Sequence, residues 1–187
     1  MNPLFEAAAD IQAFCSARQW RSAIIGGLAV QRWGEPRQTR DIDLTLLTGF
    51  GGESAFIDAL LEQYRPRRVD ARDFALHHRV LLIESAEHVP FDVSLAALPF
   101  EERVIERSSE YSFDPSCTVK TCSAEDLIVL KVFADRLQDW LDVEGIIVRQ
   151  GSALNRVQIL DELEPLLELK EDMEPQAKLR SLFAKHR

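Results

Sequence analysis

The chain has 187 residues, of which 46% are hydrophobic, so it is long enough to bury one substantial core. Its formal net charge of -9 argues against a dedicated nucleic-acid binder, which usually presents a basic face. No apolar run approaches the length of a membrane span, and the start MNPLFEAAAD lacks the basic and apolar regions of a secretory signal. We therefore expect no membrane partner. The three cysteines are an odd number without metal-type spacing, so we expect free thiols in a cytoplasmic protein.

The predicted elements alternate between helices and strands up to residue 122 and are helical beyond it. In chain order, the patterns predict a helix over 3–17, strands over 22–25 and 40–47 around a helix over 28–33, a helix over 53–64, strands over 75–83 and 91–95, a helix over 99–107 and a strand over 119–122. A capping sequence at Ser123 opens a long helix, and further helices are predicted over 139–150, 155–168 and 175–185. These elements predict an α/β (α+β) fold with a mixed sheet flanked by helices. We assign the core to residues 1–122 and a helical region packed on it to residues 123–187.

The most informative motif is a pair of aspartates behind a pair of glycines, in the run IIGGLAVQRWGEPRQTRDIDLTLL. Strand side chains alternate, so Asp41 and Asp43 are expected on one face of the predicted strand and Ile42 on the other. Two neighbouring carboxylates repel each other unless a cation lies between them, and magnesium prefers such oxygen ligands. The glycines Gly26 and Gly27 let the backbone approach a phosphate and offer N–H donors at a helix start. The simpler alternative is an exposed strand end with two solvated aspartates.

A third carboxylate favours the functional interpretation. Asp92 lies in the predicted strand 91–95, where Phe91 and Val93 alternate toward a core. An aspartate in an otherwise apolar strand is costly to bury without a partner. The preceding apolar run over 80–83 predicts a central strand buried on both faces, joined to the Asp92 strand as a hairpin.

The order of these motifs resembles the DNA polymerase β-like nucleotidyltransferase superfamily. Within it, the chain is similar to the small bacterial branch of abortive-infection, type IV toxin-like nucleotidyltransferases. Residues 126–142, with the sequence DLIVLKVFADRLQDWLD, are similar to a helical segment of that branch that carries basic residues followed by two aspartates. The resemblance extends over residues of about 20 to 145 and implies a nucleotidyltransferase-type sheet. Many relatives carry Gly-Ser where this chain has Gly26-Gly27, which removes a phosphate-binding hydroxyl.

The resemblance implies a metal-dependent enzyme that moves a nucleoside monophosphate from a nucleoside triphosphate to a hydroxyl acceptor. The catalytic and metal-binding residues would be Asp41, Asp43 and Asp92, holding two magnesium ions, with manganese as an alternative. The nucleotide would contact Gly26, Gly27, Arg40 and Lys131. In the family, the lysine at the position of Lys131 faces the cleft. Asp139 and Asp142 are interpreted as partly structural partners of nearby cations such as Arg136. Without the resemblance, the simpler reading of Lys131 is a surface lysine.

The acceptor remains open among RNA (including tRNA), a protein side chain and a small molecule such as a cationic antibiotic. A toxin role would add an antitoxin partner. The arginines at 65, 67, 68 and 72 are interpreted as solvated loop charge, whereas those at 32, 37 and 40 precede the carboxylate strand and suit a triphosphate. The alternative function is a non-catalytic nucleotide-binding or partner-docking module, because a fold does not by itself establish an activity.

Overall fold

The computed structural model of the chain describes residues 2–115 and 117–186. Its strands are β1 (Ser22–Ile24), β2 (Ile42–Leu47), β3 (Arg65–Pro66), β4 (Val80–Glu84), β5 (Pro90–Ala96), β6 (Ser109–Asp114) and β7 (Cys117–Thr121). Its helices are α1 (Pro3–Ala17), α2 (Gly26–Trp33), α3 (Glu53–Gln63), α4 (Ala71–His78), α5 (Pro99–Glu106), α6 (Ala124–Ala134), α7 (Leu137–Gln150), α8 (Arg156–Lys170) and α9 (Glu174–Lys185). A short 3-10 turn covers Gly151–Ala153.

The described residues form two compact units. The first comprises those within Met1–Leu28 and Gln38–Cys122, and the second those within Ala29–Arg37 and Ser123–Arg187. The segment 29–37, which contains most of α2, thus belongs with the C-terminal helices. The division into a core domain over residues 1–122 and a helical region over residues 123–187 stays a prediction.

The first unit is built on a mixed sheet, as the sequence predicted. Among the described residues its strands follow the order β3-β4-β5-β2-β1-β7-β6. The parallel pairs are β2 with β5 and β1 with β7, and the remaining neighbours are antiparallel. The predicted hairpin is confirmed, because β4 and β5 pair directly across a short turn.

Alternation of apolar residues places one face of the central strands in the core. Ile42 and Leu44 of β2 and Phe91 and Val93 of β5 are fully buried, and they pack in one hydrophobic cluster with residues of α1 and α3. Because successive strand residues point to opposite faces, Asp43 and Asp92 lie on the other face, where both are partly exposed. Burial of the apolar face therefore determines which face carries the carboxylates.

Several predicted elements were wrong in type or extent. The strand predicted over 75–83 begins only at Val80, since residues 71–78 form α4, which buries Ala71 and Ala75 one turn apart. That helix ends at His78 and is capped by Arg79, whose φ of 56° is left-handed. Strand β4 is next to the edge, with Leu81 and Ile83 buried and its other residues partly exposed, so it is not buried on both faces.

Two further differences arise where local patterns were weak. Strand β6 was missed because its sequence SEYSFD is mostly exposed and its apolar alternation is limited to Tyr111 and Phe113. Helix α2 begins at the glycines and not after them, and β2 begins at Ile42, two residues later than predicted.

The second unit is a helical cluster held by α6. This helix is capped by the Ser123 hydroxyl, which accepts a hydrogen bond from the Asp126 N–H at 3.1 Å, as the capping sequence predicted. Its residues Leu127 and Ile128 are fully buried, as are Val143 and Ile146 of α7. No helix in residues 2–115 and 117–186 combines the length and apolar character that a bilayer crossing requires.

Candidate functional site

Strand pairing brings two of the three predicted catalytic carboxylates together. Asp43 of β2 is the register partner of Asp92 of β5 in the parallel pair. Directly paired residues on neighbouring strands project to the same face, so two carboxylates lie side by side on the partly exposed face of the sheet. Like charges at this spacing repel each other and attract a cation.

The third carboxylate, Asp41, lies just before β2. Its Oδ1 accepts a hydrogen bond from the Thr39 hydroxyl at 3.0 Å, which orients the side chain. Thr39 in turn packs against the glycine turn, since a Cβ built on Gly27 would lie 2.5 Å from the Thr39 Oγ1. The threonine therefore links the segment that carries Asp41 to the start of α2.

Gly26 allows Asp43 to approach the start of α2. A Cβ built on Gly26 would lie 1.8 Å from the Asp43 Oδ2, and the φ of Gly26 is +60°. Both the backbone conformation and the space available therefore require glycine. The Gly27 N–H donates to the Asp43 Oδ2 at 3.3 Å. In this structure that N–H thus serves the carboxylate at the position where the sequence predicted a phosphate contact.

Asp92 has a cationic partner from the β3–α4 loop. The Arg67 Nη1 donates to the Asp92 Oδ1 at 2.5 Å, and the two side chains are 31% and 34% exposed. The interpretation of Arg67 as solvated loop charge is therefore wrong, because its guanidinium contacts a predicted catalytic group. Arg68 and Arg72 do agree with that interpretation, since they pair on the surface with Asp70 and Asp58.

The donor chemistry of this face fits a divalent cation. Three carboxylates on adjacent segments supply the hard oxygen ligands that magnesium prefers. Within residues 2–115 and 117–186, no three acidic, histidine or cysteine side chains are already grouped as a metal site. Asp41, Asp43 and Asp92 each accept a hydrogen bond from a protein donor instead.

Arg40 is the predicted nucleotide contact closest in sequence to these carboxylates. Its side chain is exposed and forms no hydrogen bond or ion pair with any residue that the structure describes. Its guanidinium is therefore available for an anionic ligand without breaking a contact of the fold.

Lys131 lies in the second unit, in a buried ion-pair cluster. Its Nζ is 2.8 Å from the Asp139 Oδ1 and 2.8 Å from the Asp142 Oδ2, and all three side chains are at most 6% exposed. Arg136 binds Asp139 at 2.6 Å, and Arg37 binds Asp142 through two nitrogens at 2.8 and 3.0 Å. The pairing of Asp139 with Arg136 agrees with the interpretation from sequence, whereas the reading of Lys131 as a surface lysine is wrong.

Charge balance in this cluster lowers the pKa of both aspartates. Burial by itself would raise the pKa of Asp139, but hydrogen bonds from Arg136 and Lys131 outweigh it and lower that pKa. Burial likewise opposes the net lowering of the Asp142 pKa by Arg37 and Lys131. Both groups therefore carry negative charge at neutral pH and compensate the buried lysine.

Sequence reasoning missed Thr39 and Arg67 as neighbours of the carboxylates. Thr39 could have been found from its position two residues before Asp41, since threonine hydroxyls commonly bond nearby polar groups. No feature of the sequence around Arg67 indicated its contact with Asp92, because that contact depends on the pairing of strands that lie apart in sequence.

Comparison with known proteins gives a family and a fold. Residues 17–168 match the family described as nucleotidyl transferase AbiEii toxin, type IV TA system. No curated protein sequence matches the chain.

Solved structures share the fold at low sequence identity. A nucleotidyltransferase-like antigenic protein from Paracoccidioides brasiliensis has a TM-score of 0.54 and 14% identity, covering 95% of this chain and 92% of its own. The lincosamide antibiotic adenylyltransferase LnuA, bound to lincomycin, has a TM-score of 0.50 and 15% identity, covering 73% and 92%. ANT(2'')-Ia in complex with adenylyl-2''-tobramycin has a TM-score of 0.50 and 18% identity, covering 83% and 94%.

The family match extends over most of the chain. The mixed sheet of the chain matches the fold of the solved nucleotidyltransferase structures. The protein is therefore a nucleotidyltransferase that belongs to the AbiEii toxin family of type IV toxin–antitoxin systems.

Proposed function

We propose that this enzyme transfers a nucleoside monophosphate from a nucleoside triphosphate to a hydroxyl group, with Asp41, Asp43 and Asp92 as its catalytic carboxylates. The observation that carries the proposal is the parallel register that pairs Asp43 with Asp92 on the partly exposed face of the sheet. Asp41 precedes Asp43 by two residues and is oriented by Thr39. This arrangement is costly for stability on its own, which favours a functional reason for it.

The same carboxylates would hold the magnesium ions that the family implies, with manganese as an alternative. When bound, such ions neutralise the triphosphate and lower the pKa of an acceptor hydroxyl. The support comes from the donor chemistry, because three aspartates offer only hard oxygen ligands.

The residues of the chain then have separate roles in the transfer. Asp92 takes the proton of the acceptor hydroxyl as general base, and the acceptor oxygen forms a bond to the α-phosphorus. The bond between the α-phosphorus and the bridging oxygen breaks, and pyrophosphate leaves with that electron pair. No covalent intermediate on the protein is required, so positioning and charge neutralisation supply the rate.

The nucleotide would be held by the glycine turn and by cations. Gly26 and Gly27 form the first residues of α2, where the helix dipole favours phosphate, and the Gly27 N–H would exchange its 3.3 Å hydrogen bond to Asp43 Oδ2 for one to the nucleotide. The exposed Arg40 suits the same role. A contact between Lys131 and the nucleotide is proposed from the family resemblance alone, and its buried pairing with Asp139 and Asp142 supports a structural role as well.

The acceptor is the open part of this proposal. The toxin family favours a cellular target, which can be RNA (including tRNA) or protein, with an antitoxin partner in the cytoplasm. The complexes of LnuA with lincomycin and of ANT(2'')-Ia with adenylyl-tobramycin keep a small hydroxylated molecule among the candidates. The alternative of a non-catalytic docking module would suit a chain that had lost one carboxylate, and this chain retains all three.

Label transfer tests the proposal directly. Each α-labelled nucleoside triphosphate is incubated with the protein, magnesium and a fractionated cell extract, and RNA, protein and small-molecule fractions are counted separately. We expect label in one fraction and its loss in Asp43→Asn. Equal labelling by wild type and Asp43→Asn would contradict the assignment of this site.

A further inference from the structure

Arg67 stands in one row with the two paired carboxylates. Its backbone N–H donates to the Leu82 carbonyl at 3.0 Å, which continues the pairing of β3 with β4 by one residue. Leu82 is the register partner of Asp92, and Asp92 is the register partner of Asp43. The row across the four strands therefore runs Arg67, Leu82, Asp92 and Asp43. Backbone pairing, and not a flexible loop alone, delivers the guanidinium to Asp92.

The contact between Arg67 and Asp92 uses only one nitrogen of the guanidinium. The Arg67 Nη1 donates to the Asp92 Oδ1 at 2.5 Å and lies 3.5 Å from the Phe91 carbonyl oxygen. The Nε and Nη2 of Arg67 make no hydrogen bond to any residue in the described part of the chain. An arginine holds a carboxylate most strongly through two parallel hydrogen bonds. The pair is therefore of the weaker, single-point kind and is partly exposed to water.

Two arginines that follow in the sequence, Arg68 of the same loop and Arg72 of α4, are bound differently. Arg68 grips Asp70 through Nε and Nη2 at 2.8 and 2.9 Å and lies over the Phe74 ring. Arg72 grips Asp58 through the same two nitrogens at 2.7 and 3.4 Å. These arginines form closed, two-point pairs away from the candidate site. Only Arg67, among these three, contacts a predicted catalytic group.

We propose that Arg67 is the internal counter-cation of Asp92, which a divalent cation has to displace when it binds. The proposal rests on the proposed function, since it assumes that Asp92 is a metal ligand. Asp43 and Asp92 lie side by side, and a positive charge beside them offsets their repulsion. A monodentate, partly exposed arginine supplies that charge and keeps Asp92 oriented, yet it can be exchanged at small cost. Arg67 is thus a positioning residue that sets how much divalent cation the site requires.

Binding of Mn²⁺ to the full chain tests this exchange by a readout other than activity. Affinity is measured by electron paramagnetic resonance or calorimetry for wild type, Arg67→Gln, Arg67→Lys, Asp43→Asn and the control Arg68→Gln. Because Arg67→Gln removes the competing guanidinium, this variant should bind Mn²⁺ about three- to tenfold more tightly than wild type. Arg67→Lys should restore weaker binding, and Arg68→Gln should match wild type. In an Asp92→Asn background, Arg67→Gln should no longer change the affinity.

The outcomes separate this proposal from the proposed function. If Arg67→Gln binds Mn²⁺ no more tightly than Arg68→Gln, while Asp43→Asn loses binding, the role of Arg67 is overturned and the metal site stands. If neither the wild type nor any variant binds Mn²⁺ saturably, both the metal site and the exchange are overturned. Circular dichroism of each variant shows whether the fold is retained. A poorly folded Arg67→Gln is replaced by Arg67→Met, which keeps the aliphatic packing without the charge.

Discussion

Asp43 on β2 and Asp92 on β5 are direct register partners, although α3, β3, α4 and β4 lie between them in the chain. This pairing places two like charges on one face of a sheet whose opposite face is buried. Neighbouring donors stabilise both charges, because the Gly27 N–H donates to Asp43 and the Arg67 guanidinium donates to Asp92.

Replacement of Asp43 by asparagine should reduce nucleotidyl transfer by at least about a hundredfold, because the site loses a charge aimed at the reacting groups. The asparagine carbonyl can still accept the Gly27 N–H, so the fold should persist. Transfer is measured with α-labelled nucleotide and folding by circular dichroism. Asp58→Asn, on the surface beside Arg72, serves as the control and should keep full activity.

Gly26→Ala should destabilise the first unit through both backbone strain and a clash with the Asp43 carboxylate. Gly49→Ala is the matched control, because Gly49 has a φ of +71° but no atom within 4 Å of the added Cβ. Left-handed strain alone should cost about 1 kcal/mol in the control. The clash should add about 1–3 kcal/mol in Gly26→Ala. Urea unfolding measures both, and equal losses would show that Asp43 moves aside freely.

Lys131→Met should lower the free energy of unfolding by about 3–5 kcal/mol, because it leaves two buried aspartates short of a cation. Lys185→Met is the control, since Lys185 is 63% exposed in its ion pair with Glu144 and should matter little. Denaturant unfolding followed by circular dichroism measures the loss of helical structure in both variants. Similar stabilities of the two variants would contradict the structural role of Lys131.

The Asp139 and Asp142 pair should make stability depend on pH in the acidic range. Both folded-state pKa values lie below the ordinary value of 3.8, so their contribution is present above that value and lost as pH falls through the lowered pKa. The double variant Asp139→Asn/Asp142→Asn should therefore be much less stable than wild type at neutral pH, and the gap should narrow on acidification toward pH 3. Urea unfolding across this range measures the gap, and a constant difference would contradict it.

Arg40→Gln should raise the KM for nucleoside triphosphate by about three- to tenfold, because one charge-assisted phosphate contact is lost. Stability should change by no more than about 0.5 kcal/mol, since Arg40 has no partner among the residues that the structure describes. Arg72→Gln, whose partner is Asp58, is the control and should leave KM unchanged. An unchanged KM in Arg40→Gln would remove this residue from the nucleotide site.

Alternation and capping were readable in the chain because they depend on neighbouring residues. The period of two over Ile42, Leu44 and Leu46 placed Asp43 on the opposite face of β2, and Ser123 marked the start of α6. The predictions failed for the short helix α4, part of which was assigned to the following strand although Ala71, Phe74 and Ala75 have helical spacing, and for the mostly polar edge strand β6. At those places long-range packing decides the conformation.

The positions of the three aspartates, the glycine turn and the alternation of helices and strands could be predicted from the amino-acid sequence, because each depends on residue types a few positions apart. The pairing of Asp43 with Asp92, the contact of Arg67 with Asp92 and the burial of Lys131 beside Asp139 and Asp142 became visible only in the folded chain. Those contacts require strands and helices to meet in one particular register. The free energy of that register is a property of the whole packed unit and not of any segment.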